Sequence, residues 1–506
     1  MARVGDEFVD LFFRWPTIVA FGVIVILYVL SAQIQKKISP LTGVRAWSVS
    51  LLSLVLLPFA LSAKQPINQP RFFSPSVAFP IFLMHQPVAG NQDGVKNINL
   101  LKGIDPNEFI PPKTAPISDA FKQYESIAKG KNLVFVVMES VRRRNVGLYG
   151  YSRDTMPTFS RLANQSLVFQ NAYVMQPRSS KAMAALALGI MPDPRLVPLS
   201  WEPQRLDGKD TFFVRVLNEG RRFYQGTAQP YGGDRLQDFF HAATHHVTQP
   251  VVSLETLEED QTLPNDDLGL AQHFLRWVNE NDDPFVGLLW TECAHMPYDT
   301  EAKPFGEDNL VDKYDNCLRQ VDDAVGVLVE GLDKAGKLDD TLIVIFGDHG
   351  EALGEHFDRG HGSFLFEHSM CIPFIIYNPD IFRTRIDVMG RFQLKDVPAT
   401  LLYLLGLPDD LNQSVNIFSK GARDKLYMSN VYQDFKLGIL FDQTKFVYRP
   451  RFDRVYIYDL DADPLEKSNI SHRYNKKQLD GLKHEVLTWY KYQTQYVEQN
   501  YPRKPK

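Results

Sequence analysis

Cysteine is scarce in this chain of 506 residues, and neither sign of charge dominates it. The three cysteines, Cys293, Cys317 and Cys371, are too few for a disulfide framework and lack the paired spacing of a zinc ribbon. Any one pair of them could form a bridge. The 55 basic and 60 acidic residues leave a net charge of −5, which excludes a globally basic surface for nucleic acid. Repeats and low-complexity tracts are absent from the sequence, which excludes a solenoid.

What the sequence does have is the composition of a folded protein. Hydrophobic residues make up 44% and charged residues 23%, so a disordered chain is excluded. At about 150 residues per domain the length predicts roughly three units, unless one large α/β domain takes up most of the chain.

Two long uncharged runs lie near the N-terminus, at 15–35 and 46–63. Each is close to the length of a membrane-spanning helix. The segment between them carries three basic residues and no acidic one, which predicts a cytoplasmic loop and places everything after Lys64 outside. We therefore predict a multi-pass anchor in the cell (inner) membrane with a periplasmic main domain. A cleaved signal peptide followed by a buried helix is the alternative.

The rest of the chain divides by composition into three parts. Residues 65–128 are polar and proline-rich, which predicts a linker or arm after the anchor at 1–64. Residues 129–475 form the predicted main domain. The tail at 476–506 is charged and tyrosine-rich, which favours an amphipathic helix that covers the domain or rests on the membrane.

The main domain contains short, fully apolar runs separated by helical patterns. Such runs are typical of strands buried on both faces of a parallel sheet. They lie at 133–138, 285–290, 342–346 and 374–377. The pattern predicts an α/β fold with a doubly wound, mostly parallel sheet sandwiched by helices, and ligands bind such sheets beyond the carboxyl ends of the strands.

Polar residues follow three of these runs directly. Glu139 follows the first run, His295 lies just after the second, and Asp348 with His349 follows the third. Taken singly, such a carboxylate favours a helix terminus or an N-cap. Together they are ligand types for one divalent ion, Zn²⁺ or Mn²⁺ above all, with Mg²⁺ or Ca²⁺ as further candidates.

Several motifs occur in this chain in the same order as in a known protein family. The motifs are NLVFVVMES at 132–140, LYGYSRDTMP at 148–157, DHGEALGEH at 348–356 and YDLDADP at 458–464. At these residues the chain resembles the sulfatase-like branch of the alkaline phosphatase superfamily, over about 132–471. The resemblance implies that branch's α/β catalytic domain with a small C-terminal sheet subdomain.

The resemblance also implies site residues. The implied metal ligands are Glu139, Ser179, Asp348 and His349. The family's nucleophile lies about ten residues before a glycine that closes a helix. In this chain Gly189 matches that glycine, so the nucleophile position falls on Ser179. One alternative is that the adjacent Ser180 is the nucleophile. The other is that these residues only cap the helix.

Histidines and basic residues complete the implied site. His295 and His361 resemble family histidines that contact the transferred group or its leaving oxygen. Arg178, Lys181 and Arg359 are candidate anion contacts for substrate. Each of the five also has a plain alternative as a solvated surface residue.

Departures from the sulfatase pattern favour phosphate over sulfate. The pentad at 179–183 has lysine and methionine where the formylglycine signal needs proline or alanine and arginine. Glu139 stands alone where most sulfatases have paired aspartates, and His361 replaces a lysine. These features resemble the membrane-anchored lipoteichoic acid synthases and phosphoethanolamine transferases. Those enzymes differ from this chain in using threonine as nucleophile, in having more spans and, for the latter, in having several disulfides.

The implied reaction transfers a phosphoethanolamine or phosphoglycerol head group from a phospholipid to a glycan or lipid acceptor through a phospho-serine. A sulfatase, a phosphodiesterase that uses water, and a non-catalytic membrane scaffold remain the alternatives. Substrate specificity is expected from 198–264, where His245 and His246 are a candidate second metal site or a loop surface.

Overall fold

The computed structural model describes residues 101–112, 115–195, 211–228, 252–253, 266–362, 364–409, 411, 413–420, 424–431 and 434–501. The predicted membrane hairpin within 1–64, most of the predicted arm, and His245 with His246 lie outside those residues. The chain divides into two compact units, Met1–Ala89 and Gly90–Lys506, and the description below concerns the second. Among its described helices, none combines the length and apolar character needed to cross a membrane.

The described unit is an α/β protein with short connecting 3-10 helices. Its α-helices are α1 (Pro157–Leu162), α2 (Ser179–Leu188), α3 (Phe212–Leu217), α4 (Asp267–Asn279), α5 (Leu310–Lys334), α6 (Glu367–Met370), α7 (Val397–Leu405) and α8 (Lys476–Asn500). Its strands are β1 (Asn132–Met138), β2 (Ser166–Tyr173), β3 (Arg222–Thr227), β4 (Val252–Ser253), β5 (Phe285–Trp290), β6 (Thr341–Gly347), β7 (Ala352–Leu353), β8 (Arg359–Gly360), β9 (Cys371–Ile372), β10 (Phe374–Tyr377), β11 (Ile386–Gln393), β12 (Lys425–Asn430), β13 (Lys436–Phe441), β14 (Thr444–Arg449) and β15 (Arg454–Asp459).

The main sheet has nine strands in the order β11-β2-β10-β6-β1-β5-β3-β4, with β9 paired to β2. Strands β9 and β10 run antiparallel to their neighbours, and all other pairs are parallel. The predicted α/β sheet is confirmed as a mixed sheet in which most strands share one direction. Within it, β1 and β6 pair in register from Asn132 opposite Thr341 to Met138 opposite Gly347. Their carboxyl ends therefore meet side by side.

Helices cover both faces of this sheet. Every residue of β1 is buried, and its side chains alternate between two hydrophobic cores. Leu133, Phe135 and Val137 belong to one core, and Val134, Val136 and Met138 belong to the other. This double burial explains why the strand reads as an unbroken apolar run rather than an alternating one.

A second sheet forms the small C-terminal subdomain. It is antiparallel in the order β12-β13-β14-β15. Helix α8 begins after Asn475, whose side chain accepts a hydrogen bond from the Gln478 N–H at 3.0 Å and so caps the helix. Trp489 and Tyr490 of α8 are buried in the first core, so the helix covers the domain.

The structure shows which of the three cysteines form a disulfide. Cys293, in the loop after β5, forms a disulfide with Cys317 of α5, with the Cα atoms 5.1 Å apart. Cys371 is buried as a free thiol. The bridge therefore ties one loop at the carboxyl edge of the sheet to a long helix.

Candidate active site

Three predicted metal ligands meet where β1 and β6 end. Glu139 directly follows β1, and Asp348 with His349 directly follows β6. One ligand atom from each of the three lies within 4.8 Å of the others, and all three side chains are buried. The in-register pairing of the two strands produces this cluster, because residues that follow paired positions emerge at the same edge.

The backbone around the cluster is shaped to hold the carboxylates. Ser140 adopts a left-handed conformation (φ 58°), and its N–H donates to Asp348 Oδ1 at 2.9 Å. The hydroxyl of Ser140 donates to Glu139 Oε1 at 3.0 Å, and the N–H of His349 donates to Asp348 Oδ1 at 2.8 Å. At Gly350 a Cβ atom would lie 2.0 Å from the carbonyl oxygen of His368, so only glycine fits there. One oxygen of each carboxylate is thus fixed by the protein.

The tautomer of His349 follows from its contacts. Its Nδ1 lies 3.0 Å from the carbonyl oxygen of Gly350, which can only accept, so Nδ1 carries the proton. In the neutral ring Nε2 then presents its lone pair to the cluster, 3.4 Å from Glu139 Oε1 and 3.6 Å from Asp348 Oδ2. Burial, helped by the charge of His361, lowers the pKa of His349 to about 4. The ring is therefore in its ligand form at neutral pH.

The two carboxylates are costly to ionise without a cation. Burial and the charge of Asp348 raise the pKa of Glu139 to about 7, and burial raises the pKa of Asp348 to about 6. Asp348 Oδ2 is buried and receives no hydrogen bond from the described residues. Two buried carboxylates, an open oxygen and an imidazole nitrogen fit a divalent ion well.

Ser179 is the first residue of α2 and lies against this cluster. Its Oγ is 3.0 Å from His349 Nε2 and 3.3 Å from Glu139 Oε1. Ser180 is buried, and no described hydrogen bond joins its side chain to Glu139 or His349. The helix ends at Gly189 with φ 61°, at the glycine used to place the nucleophile. The geometry therefore favours Ser179 over its neighbour.

Two further histidines extend the site toward solvent. The ring centroids of His349 and His361 are 4.2 Å apart, and those of His361 and His295 are 5.7 Å apart. Side-chain exposure rises from 0% at His349 to 26% at His361 and 39% at His295. The three rings thus form a row along which side-chain exposure rises from the cluster toward the surface.

A buried carboxylate backs each outer histidine. His361 Nδ1 lies 3.4 Å from Glu351 Oε2, and Glu351 is fully buried. Burial lowers the pKa of His361, but the hydrogen bond and charge of Glu351 outweigh it, so that this pKa is raised. His295 Nδ1 donates to the carbonyl oxygen of Met296 at 3.0 Å and lies 3.5 Å from Glu292 Oε1.

The three predicted anion contacts differ in burial. Lys181 is buried, and its Nζ donates to the carbonyl oxygen of Asp193 at 3.0 Å. Arg178 is the half-buried N-cap residue of α2, and Arg359 is exposed in β8. Their roles toward substrate stay predictions.

Sequence reasoning missed the residues that join the two ligand loops. Arg142 donates to the Glu351 carbonyl oxygen at 2.9 Å and pairs with Glu355 Oε1 at 2.9 Å. Although burial opposes it, Arg142 holds the pKa of Glu355 at about 2. The hydroxyl of Tyr314 donates to the Ser140 carbonyl oxygen at 2.7 Å across 174 positions of sequence. No local pattern marks such long-range contacts.

A family model described as Sulfatase matches residues 131–407, which includes every candidate ligand and the histidines. The chain belongs to the sulfatase family. It is accordingly an enzyme of sulfate or phosphate esters, in a superfamily whose members use a divalent metal. The predicted resemblance is confirmed at this level.

The relatives that match this chain include proteins named as phosphate-group enzymes and a protein named as a sulfatase. Lipoteichoic acid synthase 1 of Bacillus subtilis is 23% identical over 61% of this chain and 51% of its own length. Phosphoethanolamine transferase EptA of Helicobacter pylori is 25% identical over 51% of this chain and 49% of its own. An arylsulfatase of Clostridium perfringens is 26% identical over 34% and 38%. The chain spans about half or less of the length of these relatives.

Solved structures agree on the fold. An alkaline phosphatase superfamily protein from Vibrio parahaemolyticus gives a TM-score of 0.60 at 20% identity, over 82% of this chain and 98% of that one. The phosphonate monoester hydrolase of Agrobacterium radiobacter gives 0.55 at 18% identity, over 72% and 96%.

Proposed function

We propose that this protein is a membrane-anchored phosphotransferase that moves a phosphoethanolamine or phosphoglycerol head group from a phospholipid to a glycan or lipid acceptor outside the cytoplasm. The observation that carries the proposal is the placement of Ser179 beside the cluster. Ser179 Oγ lies 3.0 Å from His349 Nε2 at the start of α2, in a segment without the formylglycine signal. The relatives named for lipoteichoic acid synthesis and phosphoethanolamine transfer support the same chemistry.

The ligand set would be Glu139, Asp348 and His349 with Ser179 Oγ. A divalent ion held there, zinc or manganese by ligand type, would supply Lewis acidity for ionising the serine and for stabilising negative charge on the phosphoryl oxygens. The chain itself supplies orientation, because the nucleophile sits on a rigid helix and its partners on loops fixed to one sheet edge.

Two displacements at phosphorus account for the transfer. In the first, Ser179 Oγ forms a bond to phosphorus and the bond to the diacylglycerol oxygen breaks. In the second, an acceptor hydroxyl attacks the phospho-serine and restores Ser179. The outer histidines suit the proton movements, since protonated His361 can donate to the departing oxygen and the neutral ring can accept from the incoming hydroxyl. With water as acceptor the same steps give a phosphodiesterase.

The proposed organisation keeps the predicted boundaries. Residues 1–64 anchor the protein, 65–128 form an arm, 129–475 carry the catalysis, and 476–506 are a tail that begins with α8. The Cys293–Cys317 disulfide supports an oxidising, extracytoplasmic location, since such bonds are rare in the cytosol.

A sulfatase is the second candidate, favoured by the relative named arylsulfatase. Peptide mass spectrometry distinguishes the two: a formylglycine at position 179 would establish the sulfatase, and an unmodified serine is expected here.

The deciding experiment uses a matched pair of variants, Ser179→Ala and Ser180→Ala, supplied with phosphatidylethanolamine or phosphatidylglycerol and a divalent metal. Diacylglycerol release and a phospho-adduct on the peptide of residue 179 are measured. We expect both to vanish in Ser179→Ala and to persist in Ser180→Ala. The reverse pattern, or no diacylglycerol release from either lipid, would contradict the proposal.

A further inference from the structure

A basic surface with an exposed aromatic ring lies at one end of the C-terminal sheet. Arg451 and Phe452 in the turn between β14 and β15 are exposed, as is Arg454 at the start of β15, and Phe452 is 49% exposed. The guanidinium carbons of Arg449 and Arg451 lie 4.7 Å and 5.5 Å from the centroid of the Phe452 ring. We call residues 449–454 the turn surface. A large ring flanked by two cations and still open to solvent is a feature of surfaces that meet a membrane interface.

The charge on and beside the turn surface is mostly positive, although the whole chain is acidic. Two acidic residues here are already paired, Asp434 with Arg449 and Asp453 with Lys483, each at 2.6 Å. The pairing of Lys483 also brings the first turns of α8 beside the turn surface. On the turn surface and around the start of α8, the exposed cations without an ion pair among the described residues are Arg451, Arg454, Arg473, Lys476 and Lys477, and one exposed acidic residue, Asp480, lies among them.

The turn surface lies at the same end of the subdomain as the candidate active site. In the antiparallel register Asn430 faces Lys436 and Arg449 faces Arg454, so these residues share one end of the sheet. At that end the side chain of Asn430 donates to the carbonyl oxygen of Gly362, the residue after His361. The cations, the exposed ring and this contact with the segment of His361 therefore lie at the same end of the C-terminal sheet.

We propose that the turn surface docks on a membrane that carries anionic head groups, and so holds the exposed side of the candidate site, at His295 and His361, toward the lipid. Negatively charged leaflets attract basic segments, and aromatic rings favour the head-group region. The orientation deepens the proposed function, because a head-group transferase needs its site at that plane. Docking itself requires no chemistry, so it can be tested separately.

The test uses the full chain reconstituted in nanodiscs of phosphatidylcholine, with or without phosphatidylglycerol. The variant is Arg451→Glu with Arg454→Glu. The control, Lys129→Glu with Arg383→Glu, makes the same change of charge at exposed positions without an ion pair among the described residues, before β1 and after β10. Lys129 and Arg383 lie at the end of the main sheet opposite to Glu139 and Asp348, because β10 finishes beside the start of β6.

We expect amide hydrogen exchange across 449–456 to slow when phosphatidylglycerol is present, and high salt to remove the effect. Each lost cation weakens attraction about fivefold, so the variant should lose the protection while the control keeps it. Turnover of a donor phospholipid in the same nanodisc should fall at least about fivefold in the variant, whereas turnover of a water-soluble ester should be unchanged.

Equal exchange in both lipid compositions, or equal behaviour of the variant and its control, would overturn the docking proposal. So would protection by a soluble acidic polymer without protection by lipid. Protection without any head-group transfer would support docking while contradicting the proposed function.

Discussion

Metal affinity should depend steeply on pH, because the candidate ligands hold protons that a cation must displace. With the pKa of Glu139 near 7 and that of Asp348 near 6, both carboxyls are mostly ionised at about pH 8. At about pH 5 the protonated form of Glu139 exceeds its ionised form about a hundredfold, and the protonated form of Asp348 exceeds its ionised form about tenfold. Multiplied together, the two factors predict that the metal binds about 1000-fold more weakly at about pH 5 than at about pH 8, a loss of about 4 kcal/mol in binding free energy. His349, with its pKa near 4, adds almost nothing over this range.

The assay is a chelator-competition titration of metal-stripped protein with Zn²⁺ or Mn²⁺ across that range. Carboxyls at their ordinary pKa values of 4.5 and 3.8 would change the affinity less than about twofold, so the outcomes are well separated. Glu139→Gln is the matched variant, since it keeps the shape and leaves about a tenfold dependence from Asp348. A flat profile in the wild-type protein would refute the reasoning about these buried carboxyls.

The same pKa values predict the stability of the metal-free protein. Because both pKa values are raised in the folded state, the folded chain binds protons at Glu139 and Asp348 more tightly than the unfolded chain does. Stability from these groups is therefore present below about pH 4 and is lost as the pH rises toward about 7. Added metal should raise the melting temperature most at the upper end of this range. A metal effect that was largest at low pH would contradict this.

Two substitutions test the packing around the site. Gly350→Ala should abolish metal binding or folding, because the new Cβ would lie 2.0 Å from the His368 carbonyl oxygen; wild-type metal affinity would contradict the close approach. Lys445→Met should cost about 3 kcal/mol in urea unfolding, since it leaves buried Glu466 without the cation 2.8 Å away. The control Lys425→Met, whose side chain is 42% exposed, should cost less than about 1 kcal/mol, and equal costs would contradict the role of burial.

The sequence carried enough information for the central sheet and the ligand cluster. The apolar runs that became β1, β5 and β6 are buried on both faces, and their length and flanking polar residues mark them clearly. Because parallel strands end at one edge, the sequence alone was enough to place Glu139 beside Asp348. Strand direction was less predictable: β10 is a run of four apolar residues, and nothing in such a run distinguishes an antiparallel strand from a parallel one.

The support around the cluster was not predictable from the sequence. Arg142 and Glu355 meet across the two ligand loops, and Tyr314 reaches Ser140 from the middle of α5. These contacts depend on the packed fold and leave no spacing or periodicity. The pairing of Cys293 with Cys317 was likewise one of three possible bridges until the loop after β5 was placed against α5.

The most direct test of the central claim is a crystal of the protein grown with manganese or zinc, with anomalous scattering recorded at the edge of that metal. The account predicts one strong peak in contact with Glu139, Asp348 and His349, with Ser179 Oγ as a further ligand. An anomalous map with no peak among these side chains, or a peak whose coordination excludes Ser179, would contradict it.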